Sequence, residues 1–213
     1  YPYLSSSANH IFDITTGISA QSEYYSLITT ANGQQSKKKN IYNQMAQVLM
    51  GYDATGSIVA FDEDGDVSSG GPKIDSAIIV PFSRLLTKDE IKKETFSLTL
   101  GVNSSHLYPF TARITVEDVG AATEYRVNSP AGEYGILYAT ASGPLNGRAI
   151  LSQTSTHTTS VGGVTYWYAG LLFYQAGIMV LTSSIFYDQL NPDDGIGGDY
   201  PFFADPAVQV NPG

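Results

Sequence analysis

Short apolar runs and apolar–polar alternation recur along this chain, and both patterns are typical of β-strands. The alternation is clearest in two places, at Phe96, Leu98 and Leu100 and at Ile114 and Val116. Three further segments are short and mostly apolar, residues 56–61, 76–83 and 133–140, and a weaker strand pattern covers residues 11–15. Together these patterns predict a strand-rich chain.

One segment has the period of a helix instead. Ile41, Met45, Val48 and Leu49 fall at positions i, i+4, i+7 and i+8, which places them on one face of an α-helix. Gly51 follows where a C-terminal cap is expected. The pattern predicts an amphipathic helix whose apolar face packs on the core or on another subunit.

A second, shorter helix is predicted from a capping pattern. Thr87 is followed three residues later by Glu90, the spacing at which the two side chains cap a helix N-terminus reciprocally. Strand alternation resumes soon afterwards, at Phe96. We therefore expect a helix of about two turns over residues 88–94.

The stretch over residues 161–187 has no charged residue and is long enough to span a bilayer. It also contains four glycines and the polar Gln175, and no positive charge flanks it. Residues 166–168 and 171–174 favour strands, and residues 175–177 favour a turn before a further strand in residues 178–186. We interpret the stretch as a buried β-hairpin, and no membrane partner is expected.

These elements predict a mainly β (α+β) fold: an antiparallel β-rich domain with one amphipathic helix, one short capped helix and extended terminal arms. The domain covers residues 36–187, the N-terminal arm residues 1–35 and an acidic, Pro/Gly-rich C-terminal arm residues 188–213. Arms of this composition have little core of their own and gain order against neighbouring subunits. Because the chain starts at Tyr1 rather than Met, we expect it to be a piece of a longer product.

Composition excludes some classes of function. The 213 residues are 42% hydrophobic and only 15% charged, with a net charge of −9, which argues against a nucleic-acid partner. The only basic run, Lys37 to Lys39, is interpreted as the solvated first turn of the amphipathic helix. Since there is no cysteine, disulfides, thiolate catalysis and Cys-ligated zinc are excluded.

Little in the sequence points to catalysis. His10, His106 and His157 stand isolated in polar loops, without the spacing of metal ligands. The chain has no G-x-S-x-G elbow, P-loop, G-x-G-x-x-G or H-E-x-x-H motif. A Ser-His-Asp site assembled across space stays open, since triads are not sequence-local. We expect no enzyme, no catalytic residue and no organic cofactor, and a hydrolase has little support.

The loop FDEDGDVSSGGPK is the strongest candidate for an ion. Asp62, Asp64 and Asp66 match the first, third and fifth ligand positions of an EF-hand. The motif then requires Gly at its sixth position and Glu at its twelfth, where this chain has Val67 and Lys73. Two interpretations remain open: a solvated hairpin loop, or a weak structural site for a cation such as Ca²⁺.

Five longer segments of the sequence resemble segments of a known protein family. In chain order they are KKKNIYNQMAQVLMGYDATGSI, FDEDGD, FSRLLTKDEIKKETFSLTLG, YRVNSPAGEYGILY and GLLFYQAGIMVL. They resemble segments of large virion structural proteins of contractile-tailed bacteriophages that infect marine cyanobacteria and related hosts. The resemblance runs over residues 37–181, and residues 1–36 and the Asp-rich tail lie outside it.

The resemblance implies a non-enzymatic particle component located in the virion. Its partners would be further copies of itself and other virion proteins. The family brings no catalytic residues that can be carried over to this chain. Large obligate interfaces are rich in apolar and aromatic side chains, which the 15 Tyr and 9 Phe can supply.

The alternative is a carbohydrate- or surface-binding β module of a fibre or adhesin. Its recognition site would be the aromatic run Tyr166, Trp167 and Tyr168, whose rings can stack on sugars. In a strand the two tyrosines share one face and the tryptophan occupies the other. At least one of those faces is therefore expected to be core.

Overall fold

A computed structural model describes residues 12–22, 33–66, 71–82, 90–102, 107–142 and 158–186. Two α-helices lie in this part of the chain, α1 (Gly33–Leu49) and α2 (Ala121–Glu124). The strands are β1 (Thr15–Ile18), β2 (Ser76–Pro81), β3 (Ser97–Gly101), β4 (Arg113–Glu117), β5 (Arg126–Ser129), β6 (Gly132–Ser142), β7 (Thr158–Val161), β8 (Val164–Phe173) and β9 (Ile178–Thr182). Two 3₁₀ turns cover Pro109–Thr111 and Ser183–Phe186. The predicted mainly β, α+β fold class is confirmed.

The nine described strands form one antiparallel, curled sheet, in which seven follow the order β1-β2-β9-β8-β6-β4-β3 while β5 pairs with β6 and β7 pairs with β8. The two longest strands, β6 and β8, pair with each other and run through both halves of the sheet. Along its other edge β8 pairs first with β7 and then with β9, while β6 pairs first with β5 and then with β4. The β6–β8 register shifts between Leu137 and Tyr138, a bulge of the kind that bends a strand.

The sheet carries an apolar core on each face. The helix-side core contains Tyr42, Ala46, Leu49, Phe61, Ile74, Ile79, Tyr134, Leu171, Phe173 and Val180. The far-side core contains Val80, Ile114, Val116, Leu137, Leu172, Tyr174, Met179 and Leu181. Successive residues of β2, β8 and β9 thus point into different cores, which explains why these strands are continuous apolar runs without alternation.

The predicted amphipathic helix is confirmed as α1, but its buried face differs from the predicted one. Tyr42, Ala46 and Leu49 are buried, whereas Val48 is 61% exposed. The prediction missed Tyr42 because its hydroxyl marks it as polar. In the structure that hydroxyl accepts a hydrogen bond from the Phe61 backbone N–H at 3.2 Å, so the ring can be buried.

Helix α1 lies close against β1. A Cβ added to Gly17 of β1 would stand 3.0 Å from the Tyr42 Cα, so only glycine allows this approach without a shift. The helix stops at Gly51, whose φ of 81° is left-handed and whose N–H donates to the Ala46 carbonyl. Gly51 therefore ends the helix as predicted.

The prediction of a short capped helix is wrong for residues 90–94, the part of it that the structure describes. Residues 90–94 form a bend and a turn, with Glu94 at a φ of 61°, and residues 83–89, which include Thr87, lie outside the described residues. The second helix of the structure is α2, which the sequence did not predict.

A tertiary contact explains the missing helix. The backbone N–H groups of Glu94 and Phe96 donate to the Asp118 carboxylate, at 2.8 and 3.0 Å, instead of to carbonyls of a preceding turn. Asp118 lies more than twenty residues away in sequence, so a local capping pattern carries no trace of it.

Residues 56–61 also differ from expectation, since they form no strand. They contribute one isolated bridge, Ile58 with Tyr52, across a tight turn. The turn is held by Asp53, whose Oδ1 accepts from the N–H groups of Thr55 at 2.8 Å and Ser57 at 2.9 Å. This side-chain capping leaves too few residues for a ladder.

The apolar stretch is a buried hairpin, as predicted, but its second strand ends at Thr182, and residues 183–186, which were expected to continue it, form a 3₁₀ turn. Strand β8 ends at Phe173, a turn follows over residues 174–177, and β9 returns alongside. Leu171, Leu172 and Phe173 are fully buried. No helix among the described residues has the length and apolar character needed to cross a membrane.

The terminal arms fall mostly outside the described residues, including all of residues 188–213. Within the predicted N-terminal arm, Thr15–Ile18 forms β1 and pairs with β2. The strand expected over residues 11–15 thus begins where that pattern ends.

Candidate functional site

The acidic loop is the tip of a short hairpin. Asp62 and Lys73 form an antiparallel bridge. On either side of it the Glu63 N–H donates to the Pro72 carbonyl at 2.9 Å, and the Ile74 N–H donates to the Phe61 carbonyl at 3.0 Å. These hydrogen bonds close the loop and place Asp62 opposite Lys73.

Two side chains anchor this hairpin in the protein. The Phe61 ring is fully buried in the helix-side core, with its centroid 5.3 Å from that of Tyr42. Glu63 is 1% exposed, and its Oε1 accepts hydrogen bonds from the hydroxyls of Thr182 at 2.8 Å and Ser184 at 3.1 Å. The acidic run is therefore held to the end of β9 and to the core at once.

Asp62 is the most unusual residue of the loop because its carboxylate is 0% exposed. Its Oδ2 forms an ion pair with the Lys73 Nζ. Its Oδ1 is buried and has no hydrogen-bond partner among the described residues. Burial raises the pKa of Asp62 to about 6, and the nearby Asp64 adds to the rise while Lys73 opposes it.

The structure brings the three predicted aspartates together. Carboxylate oxygens of Asp62, Asp64 and Asp66 all lie within 4.8 Å of one another. Asp64 is oriented by its own loop, since its Oδ1 accepts from the Asp66 N–H at 3.2 Å. Opposite them, a Cβ added to Gly71 would stand 3.5 Å from Asp64 Oδ2 and 3.9 Å from Asp62 Oδ1. The two oxygens thus face the space beside a glycine.

The loop is the end of a hairpin, as one interpretation has it, but the Asp62–Lys73 bridge closes it, residues 56–61 form no strand, and part of it is buried. Asp62 and Glu63 are both buried, and only Asp66 of the three aspartates is exposed. The sequence analysis did not predict a role for Lys73, because in the EF-hand comparison it stands only where the twelfth-position Glu is required. On the facing strand of a hairpin it is instead the ion-pair partner of Asp62.

Asp118 is a buried carboxylate outside the acidic loop, and its role is structural. Its Oδ1 accepts from the Phe96 N–H, and its Oδ2 accepts from the Glu94 N–H and from the Tyr174 hydroxyl at 3.2 Å. Burial raises the pKa of Asp118, while these three donors oppose the rise. Both oxygens are engaged, so Asp118 fixes the chain before β3 to the far-side core.

The aromatic run of β8 divides between two faces, as predicted. Tyr166 and Tyr168 both pack on Tyr138, with ring centroids 5.9 Å away in each case. Trp167 packs on the far-side core. Tyr138 is itself fixed by a hydrogen bond from its hydroxyl to Glu124 at 2.8 Å. The two tyrosines of β8 are half-buried and share one face of the sheet.

The histidines and the basic run singled out in the sequence add nothing to these sites. His10, His106 and His157 lie outside the described residues. Lys37 and Lys38 are exposed, but α1 begins at Gly33, so they lie in its second turn rather than its first.

Comparisons with protein-family models, with curated proteins and with solved structures found no match to this chain.

Proposed function

We propose that this chain is a non-enzymatic structural protein of a bacteriophage virion, which works through contacts between copies of itself and with other virion proteins. The resemblance to virion structural proteins supports this; its phrases lie between residues 37 and 181 and cover all but the first four residues of α1, together with β3 and β5. They also cover the first part of β6 and the β8–β9 hairpin from Gly170 to Leu181, which contain buried residues of both cores. They therefore belong to the part of the chain that builds the core.

One surface feature carries the proposal. Leu107, Tyr108 and Phe110 are 70%, 69% and 58% exposed, although they follow one another within four residues. We call these three residues the apolar tip. Exposed apolar side chains grouped in this way mark interaction sites. The tip has a fixed base, because a Cβ on Gly101 of β3 would already stand 2.9 Å from the Pro109 backbone.

The strand next to the tip offers a second kind of contact. Within the described residues β3 pairs only with β4 and forms one end of the sheet. Its exposed positions alternate with half-buried ones. An edge strand of this kind presents unpaired N–H and C=O groups that another chain can extend. Arms lacing between subunits would find such an edge beside the apolar tip.

The test is the composition and structure of the particle. Virions of the phage that encodes this chain are purified, and their proteins are identified by mass spectrometry and located by electron microscopy. We expect the chain in many copies, as a repeating element of a shell, tube or collar. Its absence from particles, or a monomer that binds glycans, would contradict the proposal.

The β8 aromatic face favours the second candidate function, a carbohydrate- or surface-binding module. Tyr166 and Tyr168 stand side by side on one face, which suits stacking on a sugar. Glycan-array binding that is lost in Tyr166→Ala and Tyr168→Ala, in a chain that stays monomeric, would support this function over the first.

A further inference from the structure

One carboxylate oxygen of Asp62 is buried without a hydrogen-bond donor in the part of the chain that the structure describes. A buried carboxylate oxygen without a hydrogen-bond donor is unfavourable, because it has lost water and gained nothing in exchange. Of the two oxygens of Asp62, Oδ2 pairs with Lys73, whereas the buried Oδ1 has no hydrogen-bond partner among the described residues. The Asp62 Oδ1 would lack a hydrogen-bond donor from these residues even if no other acidic side chain lay nearby.

The unpartnered oxygen is aimed at a common point. Asp62 Oδ1 and Asp64 Oδ2 both face the position that a side chain on Gly71 would occupy, at 3.9 and 3.5 Å. An oxygen of Asp66 completes a group whose members lie within 4.8 Å of one another. Two of these carboxylates would repel each other at neutral pH unless something positive lay between them.

We propose that Asp62, Asp64 and Asp66 bind one divalent, oxygen-preferring cation, Ca²⁺ before Mg²⁺, beside Gly71. Calcium binds carboxylate oxygens at about 2.3 to 2.6 Å, so oxygens on opposite sides of the ion stand about 4.6 to 5.2 Å apart. The observed grouping fits within that span. Magnesium needs about 2.0 to 2.1 Å and strict octahedral geometry, which requires the loop to contract.

The hairpin has two properties that suit such a site. Its base does not move freely, because Phe61 is buried in the helix-side core and Glu63 is hydrogen-bonded to Thr182. Its outer side is open to the ion, since Asp66 is exposed and Asp64 is half-buried. The arrangement differs from an EF-hand in being held by a β-hairpin, with Lys73 pairing to the far oxygen of Asp62.

The ion would hold the loop of the hairpin to its base. It would supply the missing partner of Asp62 Oδ1 and remove the repulsion between Asp62 and Asp64. The site does not depend on the proposed virion role, and it can exist in a protein of another function.

The experiment uses the full 213-residue chain. Heat of binding is measured with CaCl₂ and with MgCl₂, and thermal unfolding is followed in CaCl₂ and in EGTA. We expect a single calcium site and weaker magnesium binding. At a free calcium concentration about one hundred times the Kd, Tm should rise by about 5 to 10 °C over the value in EGTA.

Matched variants locate the site. Asp64→Asn removes one ligand charge but keeps an acceptor for the Asp66 N–H, and it should lose most of the Tm shift. Glu117→Gln removes one charge from β4 and keeps its acceptor for the Ser97 hydroxyl, and it should keep the full shift. If Asp64→Asn does not fold, Asp66→Asn, on an exposed side chain, replaces it.

Two results would overturn the proposal. One is a wild-type chain that gives no heat of binding and the same Tm in calcium and in EGTA. The other is a calcium-dependent Tm shift of equal size in the wild type, Asp64→Asn and Asp66→Asn, which would place calcium elsewhere on this acidic chain.

Discussion

At the scale of single residues, glycines at close contacts control how well the sheet packs. Gly135 in β6 is opposite the Tyr174 ring, and a Cβ there would stand 2.1 Å from the Tyr174 hydroxyl oxygen. That hydroxyl donates to Asp118, so it cannot swing away without giving up a buried hydrogen bond. Gly135 and the Tyr174–Asp118 pair are therefore coupled.

This coupling makes a prediction. Gly135→Ala should lower the free energy of unfolding by about 1 to 3 kcal/mol, since it overpacks the site. Tyr174→Phe should cost about 1 kcal/mol for the lost hydrogen bond. The double variant should be more stable than the sum of the two costs implies, because the clashing oxygen is gone. Urea unfolding of all four proteins gives the coupling free energy, and strict additivity would contradict the contact.

At the scale of elements, the β8–β9 hairpin depends on Gly170. Its φ of 144° is one that side chains rarely adopt, and a Cβ would stand 1.9 Å from the Val180 carbonyl oxygen of β9. The obstacle is backbone, which cannot rotate aside as a side chain can. Gly170 therefore permits β9 to lie against the strand at the bulge.

We expect Gly170→Ala to lower the free energy of unfolding by about 3 kcal/mol or more, through strain and clash together. Gly162→Ala is the control, because Gly162 also has a positive φ but no atom within 4 Å of an added Cβ. The control should lose only about 1 to 2 kcal/mol. Denaturant midpoints at unchanged slope measure both. Equal losses would show that backbone conformation alone, and not the contact with β9, makes glycine necessary.

Elements that depend on nearby residues could be predicted from the sequence. The β8–β9 hairpin and α1 follow from local periodicity and from turn residues such as Gly177 and Gly51. Elements that depend on distant partners could not be predicted. The Glu94 N–H donates to the distant Asp118 carboxylate instead of continuing the predicted helix, and β2 is an interior strand because Ala77 pairs with Thr182 of β9.

The candidate site shows the same division. The alternation of Asp62, Asp64 and Asp66 is visible in the sequence and predicts their proximity. The burial of Asp62 is not visible, because it arises when the hairpin places Lys73 opposite and Phe61 anchors the strand in the core. A spacing rule taken from helix–loop–helix sites cannot anticipate a group of carboxylates held by a hairpin.

At the scale of the whole molecule, the apolar tip is a surface whose loss should leave the fold intact. Leu107 and Phe110 are exposed, and neither belongs to the helix-side or the far-side core. A charge placed there should act on contacts between molecules and not on folding.

We expect Phe110→Asp to shift the chain toward smaller species in light scattering, with Tm changed by no more than about 2 °C. Val127→Asp, at an apolar residue of β5 that is 70% exposed, should leave the mass distribution as in the wild type. If both variants behave as the wild type does, the tip is not an assembly surface. If Phe110→Asp unfolds the chain, the tip supports the fold instead.

The position of β9 between β2 and β8 has a consequence for the order of folding during synthesis. Strand β2 leaves the ribosome about one hundred residues before the strand that covers its apolar edge, since Ala77 pairs with Thr182. Until then β2 has only β1 beside it among the described strands, and β8, once made, lacks its partner at Leu171 and Leu172. The β2 edge therefore stays uncovered for about half of translation and the β8 edge only briefly, and the last described strand closes both at once. Chains interrupted before Ile178 would retain open edges that pair with one another, so premature termination should yield aggregates rather than a smaller folded domain.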